Sequence, residues 1–354
     1  MNAWIPIALA LGPAVGVPAP ATATFEVRHE LSVTAPEGSG KVRVWFAVPQ
    51  EDPAQQVRDL KVEAPFPSRV ETDSEGNKVL YLEAEKPKPG AIPVVTTFTV
   101  TRSEVRTALD PARAKPLTEE EKKRFEKFLR ANQNVVIDDR IRTLAGEIVG
   151  PETNPLRAAR RIYDWVLDNV EYWVKDPKNK KASTVGSTEY CLTTRTGNCT
   201  DFHSLWTSLA RAKGIPTRMA YGSFLKKELD GQDVDASYHC WPEFYVTGIG
   251  WIPHDIAVAD VYRGGFEVTD ANATLVRRTT ADGYEGPRPD RVEYYFGNLE
   301  ERRVVLSSGR DLTLSPKQEA GPVNALPKAY VEFDGKPLPE KEGWTRKLTY
   351  RERK

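Results

Sequence analysis

The chain has 354 residues, 40% hydrophobic and 28% charged, which is the balance of a globular protein long enough for more than one domain. Fifty basic and fifty acidic side chains give a formal net charge of +0, so the composition does not indicate binding to nucleic acid or to an anionic membrane. Only three cysteines occur, which excludes a scaffold held together by several disulfides.

An apolar segment from Trp4 to Gly12 begins the chain, and small residues follow at Ala21 and Ala23. This pattern resembles a secretory signal peptide with its cleavage site, although no Lys or Arg precedes the apolar segment. The segment is too short and too interrupted by proline to span a bilayer stably. We predict that residues 1–23 are a signal peptide and that the protein is secreted or periplasmic. The alternative is an ordinary disordered or strand-forming N-terminus.

The residues that follow have the pattern of β-strands. Alternating apolar and polar residues, separated by Pro- and Gly-rich turns, predict strands at 25–33, 41–48, 78–84 and 94–105. Short strands at this spacing suggest a small β-sandwich over residues 24–113. His29 is expected on the polar face of the first strand, without a ligand role.

Three amphipathic helices are predicted next. Thr118 and Glu121 form a capping-box pattern ahead of the first helix. The second pattern runs from Ile137 to Gly150, and the third begins after Pro155. The polar, basic segment 175–187 is predicted to be a solvated loop.

A fourth helix carries a cysteine at its start. Gly214 and Pro216 are expected to end this helix. The N–H groups and the dipole of a helix N-terminus favour an anion, so the thiolate of Cys199 should form more easily than in water. The helix is predicted from apolar residues at i, i+3, i+4, i+7 and i+8, namely Phe202, Leu205, Trp206, Leu209 and Ala210.

A hairpin then supplies a histidine and a carboxylate. Strands are predicted at 239–246 and 251–257, joined by a glycine-containing turn. An odd-numbered loop centred on Gly248 would make Asp255 a diagonal, same-face neighbour of His239, whereas an even-numbered loop would put it on the opposite face. A cysteine nucleophile needs a base, and the base needs an orienting group. Cys199, His239 and Asp255 are therefore the predicted triad.

The remaining segments carry weaker signals. The acidic loop 228–235 lacks the spacing of a calcium loop, and we expect a mobile loop beside a cleft. Beyond Asp270, strands are predicted at 291–296, 302–307, 311–314 and 330–333. A zinc site at His203 is an alternative, but its spacing from the cysteines matches no common zinc pattern. Cys191 and Cys240 could form a disulfide if the chain is exported.

Four motifs in this order resemble the core of the transglutaminase-like superfamily: Gly197-Asn-Cys-Thr-Asp-Phe202, Arg211-Ala-Lys-Gly-Ile-Pro-Thr-Arg218, His239-Cys-Trp-Pro-Glu243 and Gly250-Trp-Ile-Pro-His-Asp255. The resemblance spans roughly residues 155–260. It implies an α+β fold, in which a papain-like core at 114–300, with helices packed on an antiparallel sheet, follows the β-sandwich. A C-terminal β extension at 301–354 is expected to pack on the core.

The same resemblance implies roles for individual residues. Cys199 would be the nucleophile, His239 the base and later the acid, and Asp255 the orienting carboxylate. The family's additional oxyanion donor is not marked by a motif. Tyr172 and Trp173 are the candidates, Trp241 is a candidate groove residue, and core packing is the alternative for all three. The sequence departs from the family pattern at two positions near His239. Cys240 occupies a position that usually holds a small residue such as alanine, and Pro242 interrupts a strand.

These features predict an exported enzyme that cleaves or transfers amide acyl groups of a peptide or protein substrate through a thioester. Hydrolysis is preferred over transfer to an amine because water is always present and no dedicated amine tunnel can be read. No cofactor, metal, nucleic-acid partner or membrane span is expected, and the oligomeric state stays open. The alternative is a non-catalytic module that binds a peptide or cell-wall component with the same fold.

Overall fold

The computed structural model describes residues 19–38, 40–280 and 283–353, so most of the predicted signal peptide lies outside the described residues. The α-helices are α1 (Glu119–Arg124), α2 (Asp139–Val149), α3 (Pro155–Asn169), α4 (Thr188–Thr194), α5 (Cys199–Ala212), α6 (Ile256–Tyr262), α7 (Ala273–Thr279) and α8 (Pro289–Tyr294). The strands are β1 (Thr22–Ala35), β2 (Lys41–Ala47), β3 (Gln55–Glu63), β4 (Ser68–Thr72), β5 (Lys78–Glu85), β6 (Gly90–Ser103), β7 (Val105–Arg106), β8 (Glu171–Tyr172), β9 (Thr196–Gly197), β10 (Thr217–Phe224), β11 (Tyr238–Val246), β12 (Gly250–Pro253), β13 (Asn298–Leu299), β14 (Arg303–Ser308), β15 (Ala329–Phe333), β16 (Lys336–Pro337) and β17 (Trp344–Arg353).

Two antiparallel sheets form the N-terminal sandwich, with strand orders β17-β1-β6-β3 and β16-β15-β2-β5-β4. Their inner faces carry alternate apolar residues, such as Val27 on β1 opposite Phe98 on β6 and Tyr350 on β17. Burial of these alternate positions holds the sheets together, because successive side chains point to opposite faces. The predicted β-sandwich is confirmed, and β3 and β4 are strands that the sequence pattern did not reveal.

The C-terminal segment is divided between the two parts of the fold. Strand β14 joins the core sheet, whereas β15, β16 and β17 complete the sandwich. Val331 pairs with Val44, and Leu348 pairs with His29. Residues 301–354 are therefore not one extension packed on the core, as expected from the resemblance, because β15 and β17 form hydrogen bonds with N-terminal strands.

His29 is fully buried between the sheets, and its ring lies 4.1 Å from that of Phe46. The expectation of a polar face was wrong, since His29 shares strand parity with Phe25 and Val27, which are also buried. Burial, together with the charges of Arg346 and Lys328, holds the pKa of His29 well below its usual value, so the imidazole is neutral.

The core is a four-stranded antiparallel sheet of order β12-β11-β10-β14, against which α5 packs. Trp206 and Leu209 of α5 are completely buried in the same apolar cluster as Phe244 of β11. Helices α2, α3, α4 and α6 contact α5 from other directions. A central helix enclosed in this way can hold its first residue in a fixed position relative to the sheet. The predicted α+β fold class is confirmed.

Two local predictions were wrong. Residues 291–296 belong largely to α8 rather than to a strand, because Pro289 occupies its first turn, where proline is favoured. The acidic loop is docked rather than mobile. The N–H groups of Gly231 and Val234 donate to the carbonyl oxygens of Tyr350 and Leu348 on β17, so the loop covers an otherwise open sheet edge.

Candidate active site

Cys199 is the first residue of α5. The Asn198 side chain accepts from the N–H of Asp201 at 3.1 Å, and the Asp201 carboxylate accepts from the N–H of Asn198 at 3.0 Å, which completes a capping box. Gly197 is required immediately before, because a Cβ there would lie 2.4 Å from the Asp201 Cβ. The cysteine thus stands at a fixed helix N-terminus and is only 4% exposed.

Asp201 also fixes the loop beside Cys199. Its carboxylate accepts from the N–H groups of Ser183 at 3.0 Å and Ser187 at 2.8 Å, and from the Ser183 hydroxyl. Ser187 in turn caps α4. One fully buried carboxylate therefore ties the loop 183–187 to the start of the cysteine helix, and the sequence analysis gave Asp201 no such role.

His239 and Asp255 are joined directly, with His239 Nε2 2.7 Å from Asp255 Oδ2. The odd hairpin register is confirmed, since Tyr245 pairs with Trp251 and Val246 with Gly250. Asp255 lies just beyond β12 rather than on a strand. It is the N-cap of α6, where its Oδ1 accepts from the N–H of Val258 at 3.1 Å, so one carboxylate both caps a helix and orients an imidazole.

His239 and Asp255 each stabilise the charged form of the other. Burial raises the pKa of Asp255, but the charges of His239 and Arg303 outweigh burial and hold it well below its usual range. Burial lowers the pKa of His239, but the negative charges of Asp255 and Cys199 raise it to about 9. The histidine is therefore an imidazolium at neutral pH.

The pKa of Cys199 is lowered, whereas the pKa of His239 is raised. The interaction with Cys240 lowers the pKa of Cys199, burial opposes this effect, and the interaction with the charged His239 lowers the pKa further. The net pKa lies well below the usual value for a thiol. Because Nε2 of His239 is committed to Asp255, Nδ1 is the nitrogen left to face the sulfur. The arrangement favours a thiolate–imidazolium pair at neutral pH.

Arg303 is a member of the site that the sequence analysis missed. It is fully buried, with Nη1 2.6 Å from Asp255 Oδ2 and Nη2 2.9 Å from Glu300 Oε1. Its guanidinium stacks over the rings of Phe224 at 4.6 Å and Trp241 at 4.9 Å. It comes from β14, far along the chain from the motifs, and an arginine at the start of an apolar strand carries no distinctive sequence signal.

His203 lies behind the site rather than at its surface. Its Nδ1 is 3.3 Å from Cys240 Sγ, and its Nε2 is 3.4 Å from Asp255 Oδ1. Burial lowers the pKa of His203 despite the nearby carboxylate, so the ring is neutral. Cys191, Cys199 and Cys240 are all free, buried thiols, and the Cys191–Cys240 disulfide is not formed.

The three oxyanion or groove candidates lie in different surroundings. Tyr172 is buried, and burial followed by the charge of Cys199 raises its pKa well above the usual value, so its hydroxyl keeps its proton and can donate. Trp173 is half-buried against the core. Trp241 is almost fully buried and lies parallel to the His239 ring at 6.4 Å, so it packs behind the histidine.

Among the described residues, no group of three or more His, Cys, Asp or Glu side chains has the arrangement of a metal site. Within the same part of the chain, no helix is long and apolar enough to cross a membrane.

Comparison with known proteins identifies a family that one segment of the chain resembles. Residues 142–256 match the family model of the transglutaminase-like superfamily, so this segment is similar to a transglutaminase-like core. The match ends just after Asp255, so Arg303 lies outside it.

Individual relatives extend over more of the chain. It is 27% identical over 340 residues to an uncharacterized protein of Haemophilus influenzae, covering 89% of this chain and 87% of that protein. A protein of Cytophaga hutchinsonii, described as a candidate cysteine protease, matches with a TM-score of 0.54 at 16% identity over 94% of this chain and 98% of its own. At this identity the likeness shows a shared fold. The periplasmic domain of TgpA from Pseudomonas aeruginosa matches at 15% identity over 69% of this chain and 94% of its own, with a TM-score of 0.34.

Proposed function

We propose that this protein is an exported cysteine enzyme that acts on amide bonds of peptides or proteins through Cys199, His239 and Asp255. The observation that carries the proposal is the 2.7 Å bond between His239 and Asp255, beside a cysteine at a helix N-terminus whose pKa is well below its usual value. A buried thiolate next to an oriented imidazolium is the starting state of a cysteine nucleophile.

The chemistry follows from these positions. The Cys199 thiolate attacks the amide carbonyl carbon and forms a tetrahedral intermediate, whose oxyanion the Cys199 N–H and the protonated Tyr172 hydroxyl would stabilise. His239 gives its proton to the leaving amine, the carbon–nitrogen bond breaks, and a thioester remains. Water, losing a proton to His239, then attacks the thioester and releases the acid and the Cys199 thiolate.

We propose hydrolysis rather than transfer to an amine. Both outcomes share the thioester, and they differ only in the nucleophile that reaches it. Water needs no dedicated binding site, whereas efficient transfer needs a site that concentrates an amine in competition with water. Screening casein with and without a primary amine acceptor distinguishes them, since transfer would incorporate the amine into product.

Export is part of the proposal. The small residues Ala19 and Ala21 precede strand β1, which begins at Thr22. Cleavage after Ala21 would leave β1 whole, whereas cleavage after Ala23 would remove two residues that pair with β6. N-terminal sequencing of the protein recovered from a secreted or periplasmic fraction tests this directly, and an intact leader in that fraction would contradict it.

Thiol alkylation between about pH 5 and pH 9 tests the nucleophile, with labelled cysteines mapped by mass spectrometry. Activated thiols titrate at roughly 3.5 to 7.5, against about 8.5 for an ordinary one. We expect rapid labelling of Cys199 at low pH, slow labelling after His239→Ala, and no casein turnover by Cys199→Ala. Cys191→Ala is the matched control, because burial raises the pKa of Cys191. If Cys199 is inert, or labels only at high pH regardless of His239, the protein is better described as a binding module.

A further inference from the structure

A groove of about 560 Å³ lies between the core and the sandwich, beside the start of α5. One wall is formed by the loop 184–186, the first turn of α5, β10 and β11. The other wall is formed by the segment 320–328 together with β15, β16 and the start of β17. The volume falls within the range of small-ligand and peptide sites.

The hydroxyl of Thr200 lies between the groove and the Cys199 sulfur. Thr200 and Tyr238 both line the groove. Thr200 Oγ1 lies 3.0 Å from the Tyr238 hydroxyl and 3.8 Å from Cys199 Sγ. A chain bound in the groove would therefore pass beside Thr200, whose hydroxyl separates the groove from the Cys199 sulfur.

The lining combines apolar and uncharged polar side chains and lacks unpaired charge. Lys328 and Glu340 are the charged residues that line it among the described part of the chain, and they pair with each other at 2.7 Å. An occupant that carries charge would have to bury it without a partner, which is unfavourable. The apolar surface comes mainly from Val185, Pro322, Val323, Ala325, Pro327 and Trp344.

One further observation indicates that a ligand completes the groove. Tyr221 lines it and is fully buried, yet its hydroxyl has no hydrogen-bond partner, which is costly unless a bound group satisfies it. Val185 stands at the rim with 42% of its surface exposed.

The two walls are joined, so the groove exists before anything binds. Asn324 Nδ2 and Arg310 Nη2 each donate to the Val185 carbonyl oxygen at 2.8 Å. Arg310 Nη1 also donates to the Ser204 hydroxyl on α5 at 2.8 Å. A preformed groove loses less conformational entropy on binding than a mobile one.

We propose that this groove binds an uncharged, extended segment of the substrate polypeptide, on one side of the reacting amide, with a polar backbone group bonded to the Tyr221 hydroxyl. This assignment rests on the proposed function, since it takes the substrate to be a polypeptide. It gives the C-terminal strands of the sandwich a role in choosing the substrate.

Fluorescence anisotropy of the Cys199→Ala protein tests the proposal with two fluorescein-labelled peptides of equal length. One contains only Ala, Pro, Val, Tyr and Gln, and the other has Glu at alternate positions. We expect saturable binding of the first and affinity at least about tenfold lower for the second, because its carboxylates would be buried without partners. Tyr221→Phe should weaken binding of the first peptide about fivefold through one lost hydrogen bond.

Two valines provide a matched pair of variants. Val185→Glu should weaken the uncharged peptide about tenfold or more, whereas Val268→Glu should not, although Val268 is 45% exposed against 42% for Val185. Because both residues are exposed, both variants should fold. Equal affinity for the two peptides, equal effects of the two valine variants, or no saturable binding of either peptide would each overturn the proposal.

The same measurements separate this proposal from the proposed function. Binding by Cys199→Ala requires no chemistry, so binding without casein turnover by the parent protein would leave the groove assignment standing and reject amide cleavage. If Val185→Glu leaves casein turnover unchanged, the groove assignment is rejected and the proposal of amide cleavage stands.

Discussion

Arg303 should control the reactivity of a cysteine that it does not touch. In Arg303→Met, the fully buried Asp255 loses a positive charge 2.6 Å away. Removing one partner of a buried ion pair costs about 3 to 5 kcal/mol, and the remaining carboxylate escapes part of this cost by taking up a proton. The rise in the pKa of His239 from 6.5 to about 9 corresponds to about 3 kcal/mol of interaction. A neutral Asp255 would remove much of that interaction, and with it the imidazolium that stabilises the thiolate.

The assay is the rate at which iodoacetamide alkylates Cys199 at about pH 6, where an ordinary thiol with a pKa near 8.5 is almost entirely protonated. We expect Arg303→Met to slow labelling at least about tenfold, after allowance for the greater nucleophilicity of a less acidic thiol. Arg303→Lys should recover part of the rate, because a positive charge stays beside Asp255.

Arg43→Met is the matched control. Arg43 is a buried arginine of the sandwich and lies 3.3 Å from the buried Glu332. Its loss should lower the free energy of unfolding without changing the labelling profile. If Arg303→Met fails to fold, Arg303→Met combined with Glu300→Gln avoids leaving two unpaired carboxylates. A folded Arg303 variant that labels at the parent rate would refute the reasoning.

Four further outcomes are expected. Cys240→Ala should raise the pH midpoint of Cys199 alkylation, since the interaction with Cys240 is the largest influence that lowers the pKa of Cys199; an unchanged midpoint would contradict this. Turnover should rise as Cys199 ionises and fall as pH increases through about 9, because His239 then loses its proton; the pH profile of kcat/KM tests the falling limb. Asp201→Asn should lower the free energy of unfolding in urea by about 2 kcal/mol, whereas Asp138→Asn, an exposed cap for which Asn serves equally well, should change it little. Gly222→Ala should prevent folding or displace β14, because its Cβ would lie 1.7 Å from the Val304 carbonyl oxygen, while Gly146→Ala in the open face of α2 should stabilise by about 1 kcal/mol.

Most of the candidate site follows from local sequence patterns. The apolar period of α5, its start near Cys199 and its end before Gly214 depend on neighbouring residues, so they could be predicted. The hairpin could be predicted from its turn glycines, but the sequence left two registers open, and the structure has the odd one that brings Asp255 to His239. These features involve residues separated by short stretches of chain, and hydrogen bonds within a helix or hairpin are set by local geometry.

The rest required the tertiary structure. Leu348 pairs with His29, and Arg303 reaches Asp255, yet no periodicity connects residues so far apart in the chain. The thiol of Cys240 and the ring of His203 lie behind Cys199 only because α5 packs on that face of β11. Tyr172 could be named from the sequence as one of several aromatic candidates, but only the tertiary packing shows that it is buried. The sequence by itself determined the helix that carries Cys199 and the hairpin that carries His239. Long-range strand pairing and burial decided which charges surround them, because those contacts depend on how separate elements pack rather than on the pattern within any one of them.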